Sequence, residues 1–229
     1  MNYVFDVDGT LTPSRLPINK DFEKFFLNWM KGKNVYLITG SDKDKTIEQV
    51  GEEIWLNATR AYQSCGNAVY EKGKLIRQSD FKLDRELRRL LFTFNAVSEW
   101  PYKFDNHIEE RIGLVNYSSI GRSCPQNQRD DYYMWDKIKK ERELFCKMVE
   151  DTFPHLEASI GGQISIDIYP KGQNKSQVLN DLEGPITFFG DRCEMGGNDW
   201  PIVARIEDKH TVHRVKDWKE TYKILGELK

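Results

Sequence analysis

Tyr3-Val4-Phe5-Asp6-Val7-Asp8-Gly9-Thr10 decides how the rest of the chain is read, because an apolar run stops there in an acidic turn. Asn2 to Val7 has the length and composition of a buried strand, and Asp8-Gly9-Thr10 that of a tight turn. Residues two apart in an extended chain point the same way, so the Asp6 and Asp8 carboxylates face one site. Two like charges that close are costly unless one is protonated or a cation sits with them. A hard ion that takes oxygen ligands, such as Mg2+, resolves the conflict. A solvated acidic turn is the plain alternative.

Outward from that strand, residues 19–31 carry Phe22, Phe25, Phe26, Trp29 and Met30 at helical spacing, with Asn19 as a cap and Gly32 as a stop. Val35 to Thr39 predicts a second strand ending in Gly40-Ser41-Asp42, and Asp44 to Trp55 a second helix. Strand, helix, strand, helix is the order of a parallel sheet with covering helices, in which ligands sit beyond the carboxyl ends of the strands. After a hairpin at Ala68–Arg77, turning at Lys72-Gly73-Lys74, the pattern changes. Leu83, Leu87, Leu90, Leu91 and Phe94 predict an amphipathic helix. Strand-like stretches at Asn106–Tyr117, Leu156–Ile160 and Gln163–Tyr169 flank a long helix across Arg129–Phe153. This reads as an α+β unit inserted into the first domain. Leu182 to Phe189 returns to the earlier mode, a buried strand ending in Gly190-Asp191. Short strands near Ile202–Ile206 and Val212–Val215 and a helix from Lys216 complete the pattern. The fold class is α/β: a parallel-sheet core from residues 1–78 and 173–229, with an α+β domain over 79–172.

The 229 residues carry 34 basic and 36 acidic side chains, a formal charge of −2, so a nucleic-acid backbone or an anionic membrane surface is not the expected partner. No apolar run approaches the roughly 18–20 residues of a membrane helix, and acidic residues arrive before a signal-peptide core could form. Cys65, Cys124, Cys146 and Cys193 are scattered without a CxxC pair, which favours a reducing, cytoplasmic setting over a disulfide framework or zinc site.

Three further strand ends add to Asp6 and Asp8. Thr39 and Ser41 offer hydroxyls after the second strand. Lys175 opens a helix, where a basic residue is unfavourable at the positive end of the dipole and so wants an anion, although an ordinary surface lysine is the simpler reading. Asp191 ends the late strand and precedes Gly196-Gly197-Asn198-Asp199. Acid, hydroxyl, lysine and acid at strand ends are the parts of a phosphoryl-transfer site. In the inserted unit, alternation over Gln163–Tyr169 puts Ile164, Ile166 and Ile168 on one face and Gln163, Ser165 and Asp167 on the other. Arg111, Arg122 and Arg129 are suited to forked binding of a phosphate, though singly each is more often a surface ion pair.

Asp6-Val7-Asp8-Gly9-Thr10-Leu11-Thr12 resembles the nucleophile motif of the haloacid dehalogenase superfamily, and Gly190-Asp191 with Gly197-Asn198-Asp199 resembles its metal motif. The stretch from Arg111 through Arg122 to Arg129, and Gly161-Gly162-Gln163-Ile164-Ser165-Ile166-Asp167, are similar to the cap of eukaryote-type phosphomannomutases. The resemblance runs through most of the chain and is weakest from about Glu53 to His107. It implies a Rossmannoid core with an inserted cap. It implies an activity interconverting mannose 6-phosphate and mannose 1-phosphate through an aspartyl phosphate and a hexose bisphosphate, with Mg2+ as cofactor. By the same resemblance Asp6 is the nucleophile, Asp8 the general acid and base, and Asp6, Asp8 (through its carbonyl), Asp191 and Asp199 hold the metal. Lys175 and Ser41 or Thr39 meet the phosphoryl oxygens. Arg15, Arg111, Arg122, Arg129, Ser165 and Asp167 contact the substrate. A homodimer through the cap is compatible with it.

The sequence also departs from that pattern. Asn174 stands where the family usually has aspartate, Thr39 replaces a glycine, and Val203-Ala204-Arg205-Ile206-Glu207-Asp208 replaces a segment where the family binds a second, structural metal. With Arg205 near a ligand position, that second site is not expected. The alternatives are a sugar-phosphate phosphatase on the same core and a non-catalytic sugar-phosphate binding protein. The cap arginines speak against the first, and intact Asp6, Asp8, Lys175 and Asp191 against the second.

Overall fold

A computed structural model describes residues 1–228. The chain divides into two compact units: Met1–Ser79 with the described part of Gln173–Lys229, and Asp80–Gly172.

The core unit opens with β1 (Asn2–Asp6), α1 (Lys20–Trp29), β2 (Asn34–Ile38), α2 (Lys43–Val50) and α3 (Glu52–Asn57). β3 (Arg60–Gln63), β4 (Ala68–Glu71) and β5 (Lys74–Gln78) follow. The Asn19 side chain accepts the Asp21 and Phe22 amides and so caps α1, whose Phe22, Phe26 and Trp29 are buried. The single helix expected over Asp44–Trp55 is two, because Gly51 sits at φ +84° and breaks the ladder. The short β3 carries no pattern of its own and was not expected.

The inserted unit holds α4 (Arg85–Val97), β6 (Ile108–Arg111), β7 (Leu114–Tyr117), α5 (Gln126–Lys139), α6 (Glu141–Thr152), β8 (Leu156–Gly161) and β9 (Ser165–Pro170). Its antiparallel sheet runs β6-β7-β9-β8. Leu87, Leu91, Phe94, Phe145 and Val149 pack with Val115, Ile166 and Ile168, so the isoleucine face of β9 meets the helices as alternation predicts. Ile164 instead joins a smaller cluster with Trp100, Ile120, Cys124 and Tyr132. The long helix expected over Arg129–Phe153 is broken at Lys140, which is left-handed at φ +58°. A buried ion pair stands at this break: Arg142 Nε donates to Asp136 Oδ2 at 2.7 Å, and both side chains are 5% exposed. Arg142 Nη1 also donates to the Gly162 carbonyl at 2.9 Å, which ties the helix pair to the turn before β9.

The chain returns to the core through a 3-10 helix over Lys175–Asp181, then β10 (Ile186–Gly190), α7 (Trp200–Ile206), β11 (Thr211–Arg214) and α8 (Trp218–Glu227). The exit and return are joined by the Ser79 hydroxyl, which lies 3.0 Å from Gln173 Oε1. The core sheet runs β11-β10-β1-β2-β3-β4-β5, parallel from β11 to β3 and antiparallel beyond. β1 is the inner strand between β2 and β10, and alternation along it splits the core into two layers. Phe5, Leu37 and Phe189 face α1, α3 and α8, while Val4, Ile38 and Phe188 face α7 and the 3-10 helix.

The strand expected near Ile202–Ile206 is a helix. Its β-branched residues suggested a strand, but Pro201 starts a helical turn and Ile202, Val203 and Ile206 recur at helical spacing on the buried side. No helix of the described residues is long and apolar enough to cross a membrane, and Cys124, Cys146 and Cys193 form no disulfide.

Candidate active site

The carboxyl ends of β1, β2 and β10 lie side by side through the paired registers Asp6↔Ile38 and Phe5↔Phe189. Asp6, the last residue of β1, is 2% exposed. Lys175 Nζ donates to Asp6 Oδ1 at 2.5 Å and to Asp199 Oδ1 at 2.7 Å, with the lysine 1% exposed. The anion expected for a lysine opening a helix is thus a pair of buried carboxylates. The segment bearing Lys175 is fixed from its far end, where Asp181 accepts from Tyr62 Oη at 2.9 Å and from both terminal nitrogens of Arg77 at 2.9 and 2.8 Å. Arg205, which the resemblance sets near the family's second cation position, donates to the same segment: to the Ser176 carbonyl at 3.0 Å and to Asn180 Oδ1 at 3.1 Å.

Asp191 completes the acidic group, since single oxygens of Asp6, Asp191 and Asp199 lie within 4.8 Å of one another. Burial pushes the Asp6 carboxyl well above its ordinary range against the pull of Lys175, with Asp199 and Asp191 adding to the rise. Burial, then the Asp199 charge, raises Asp191. For Lys175 burial acts downward, but the Asp199 and Asp6 charges outweigh it and hold the ammonium above its usual value. Three carboxylates and one ammonium leave a charge of −2, which one divalent cation balances. The oxygens differ in availability. Asp199 is fully buried and both its oxygens accept protein donors, Lys175 and the Arg192 amide at 3.1 Å. Asp6 Oδ2 has only a long 3.4 Å contact from the Thr10 hydroxyl, and Asp191 is half-buried. The donor set therefore fits a hard cation, chiefly on the Asp6 and Asp191 side. Gly9 makes room for this arrangement: at φ +83° it is left-handed, and a Cβ there would collide with the Asp191 carboxylate.

Asp8 is held separately. Its Oδ1 accepts from the Arg15 amide at 2.7 Å and from Gln49 Nε2 at 2.8 Å. Arg15 thus meets the core through its backbone, in a left-handed conformation at φ +63°, while its side chain is exposed. Of the two hydroxyls after β2, that of Thr39 is buried and accepts the Ser41 amide at 3.0 Å, whereas Ser41 is half-buried.

In the inserted unit the register brings Glu109 opposite Asn116 and Asn116 opposite Asp167. Arg111 and Ser165 are each two residues from a member of that row, on the same face. Asn116 Nδ2 donates to Asp167 Oδ1 at 2.6 Å, and Asn116 Oδ1 accepts from Arg122 Nη1 at 2.5 Å. Arg122 Nη1 also reaches Ser165 Oγ at 3.3 Å, and Arg129 Nη2 donates to the Arg122 carbonyl at 2.5 Å. Arg111, Arg122, Arg129, Ser165 and Asp167 are therefore one cluster, with Gly161 packed so closely on Asp167 that a Cβ would lie 2.6 Å from its carboxylate. Burial raises the Asp167 carboxyl and lowers the Arg122 guanidinium.

Sequence reasoning missed Gln49, Asn116 and Glu109. Asn116 left a signal, a lone amide in the wholly buried strand Leu114-Val115-Asn116-Tyr117. Glu109 left a weaker one, a carboxylate on the same strand face as Arg111.

The family model of eukaryotic phosphomannomutases matches residues 22–229. A phosphomannomutase of Solanum lycopersicum is 37% identical over 236 residues, covering 98% of this chain and 92% of that protein. Among solved structures, the C-terminal domain of trehalose-6-phosphate phosphatase from C. albicans superposes with a TM-score of 0.65 at 13% identity, over 99% of this chain and 90% of that one. An IMP-bound mutant of IMP-nucleotidase from Plasmodium falciparum gives 0.64 at 13%, and this chain spans 66% of its length. At such identities the structures speak for the fold alone, which is the haloacid dehalogenase-like α/β fold.

Proposed function

The chain belongs to the eukaryotic phosphomannomutase family, and on that premise we propose that it interconverts mannose 6-phosphate and mannose 1-phosphate through a hexose bisphosphate. The observation that carries this reading is the buried Asp6–Lys175–Asp199 ion triad at the end of β1, with Asp191 beside it. Asp6 attacks phosphorus through a carboxylate oxygen. The bond from phosphorus to the sugar oxygen breaks, and an aspartyl phosphate forms. Asp8 gives the leaving sugar oxygen its proton, then removes the proton of the hydroxyl that receives the phosphoryl group in the return step. Lys175, kept charged by two carboxylates, neutralises the oxygens of the group in transfer, and Ser41 hydrogen-bonds them. Asp199 fixes Lys175. Mg2+, held by the Asp6 and Asp191 carboxylates with Asp199 and the Asp8 carbonyl in support, would draw charge from the transferring phosphoryl group. In the inserted unit Arg111, Arg122 and Arg129 take the phosphate that is not in transfer, and Ser165 and Asp167 the sugar hydroxyls. Four scattered cysteines without a CxxC pair suit a cytoplasmic enzyme.

The test is a coupled assay of the purified protein with mannose 1-phosphate, Mg2+ and a hexose bisphosphate activator, following the 6-isomer and free phosphate together. The 6-isomer should form and Asp6→Asn should abolish it. Stoichiometric release of phosphate without the 6-isomer would overturn the mutase reading in favour of a phosphatase.

A further inference from the structure

The arginine cluster of the inserted unit poses an electrostatic problem before any phosphate binds. Arg111 and Arg122 repel each other, and Arg122 is further disfavoured by burial and by Arg129. Yet both guanidiniums converge on one carboxylate. Arg111 Nε donates to Glu109 Oε1 at 2.8 Å and Arg111 Nη2 to Oε2 at 3.1 Å, a side-on fork. Arg122 Nε reaches Glu109 Oε2 at 2.5 Å. Glu109 uses both oxygens on two arginines at once, and it stands in the cross-strand row Glu109–Asn116–Asp167, so its own position is set by the sheet register. Asn116 fixes Arg122 from the opposite side.

We propose that Glu109 is the positioning residue of the anion site, holding the Arg111 and Arg122 guanidiniums together as one preformed phosphate fork. The inference rests on the proposed mutase reading and adds to it the group that sets phosphate affinity. The Arg111 hydrogen bond keeps the Glu109 carboxyl below its ordinary range, in keeping with a carboxylate that stays ionised under both arginines. Side-on engagement through Nε spends the inner edge of each guanidinium on Glu109. Fixing those side chains in advance removes ordering cost from substrate binding. Without the carboxylate the two cations separate, and bound phosphate must bring them back together.

The experiment compares Glu109→Gln, Glu109→Ala and Glu109→Asp in the full chain by steady-state kinetics with mannose 1-phosphate, with thermal unfolding as the check on folding. Glu109→Gln and Glu109→Ala should raise KM about tenfold or more, with kcat falling less than threefold. Glu109→Asp, which keeps the charge on a shorter stem, should recover a substantial part of the loss. An unchanged KM in folded Glu109→Gln overturns the proposal. A lowered KM also overturns it, since Glu109 would then compete with phosphate for the arginines. Should either variant fail to fold, equilibrium binding of inorganic phosphate to Glu109→Asp and to the unmodified protein decides: equal affinity counts against the proposal and moderately weaker affinity supports it. If the unmodified protein makes no 6-isomer at all, the mutase reading fails. The phosphate-binding comparison then still judges the role of Glu109.

Discussion

Replacing Lys175 by methionine removes the buried ammonium from a cluster of three carboxylates. The ammonium is 1% exposed and contacts Asp6 at 2.5 Å and Asp199 at 2.7 Å, and Asp199 has no exposure at all. Deleting one partner of a buried ion pair leaves an uncompensated charge and costs about 3–5 kcal/mol. Two carboxylates lose their partner here, so the upper part of that range is expected in cation-free buffer, moderated as one of them takes up a proton. A saturating divalent cation binds only the folded protein and so restores part of the loss, about 2.7 kcal/mol at a hundredfold excess over Kd. Turnover does not return with it, because a positive group aimed at the developing phosphoryl charge is worth about a hundred- to a thousandfold in kcat. Urea unfolding with and without Mg2+, beside the coupled assay, measures both quantities. Lys175→Met within 1 kcal/mol of the unmodified protein in cation-free buffer would refute the electrostatic account, and so would near-normal turnover.

In the inserted unit, Arg142→Met should cost about 3–5 kcal/mol by stranding Asp136. The double variant Asp136→Leu/Arg142→Met should regain most of it, as read by denaturant midpoints. Gly9→Ala forces a left-handed alanine against the Asp191 carboxylate, so it should weaken Mg2+ binding by titration calorimetry at least tenfold while leaving the far-UV spectrum native. The pH dependence of Glu109 has a definite sign. Its folded pKa is depressed, so its stabilising contribution is complete above its ordinary value of 4.5 and is lost as pH falls through the lower folded value. The stability gap between the unmodified protein and Glu109→Gln should therefore be flat above about pH 5 and close on acidification. A gap that widens on acidification would contradict the assignment.

The parts of the site legible in the sequence are those where local pattern and chemistry coincide. Asp6 ends an apolar run, Asp191 ends another, and an alternating strand points Ser165 and Asp167 away from the isoleucines, so a period of two was enough to place them. Lys175 was legible by its unfavourable position at a helix start, but that its partners are Asp6 and Asp199 is a fact of tertiary structure. Gln49 was invisible and Glu109 only faintly marked for the same reason: each is an ordinary polar residue of its own helix or strand, made special by a neighbour brought in by the fold. The misread elements have two causes. Lys140 and Gly51 each end a helix by adopting positive φ inside a pattern that would otherwise continue, and residues 202–206 placed β-branched side chains on a helix whose start is dictated by Pro201.

The place of β1 in the core sheet bears on how the chain reaches its native state. One of the two neighbours of β1, β10, and the lysine that neutralises Asp6 are made much later than β1 itself, the lysine 169 residues after Asp6. Closing contacts so distant in sequence is slow. Asp80–Gly172, by contrast, has its own sheet and apolar clusters and can condense while the rest is still being made. Until β10 arrives, β1 offers an apolar strand with an unpaired edge, an opening for wrong association. A nascent chain stalled shortly after Gly172 should therefore carry a folded insert beside an open β1–β2 pair, bind chaperones that take extended apolar segments, and release them once residues 186–190 are available.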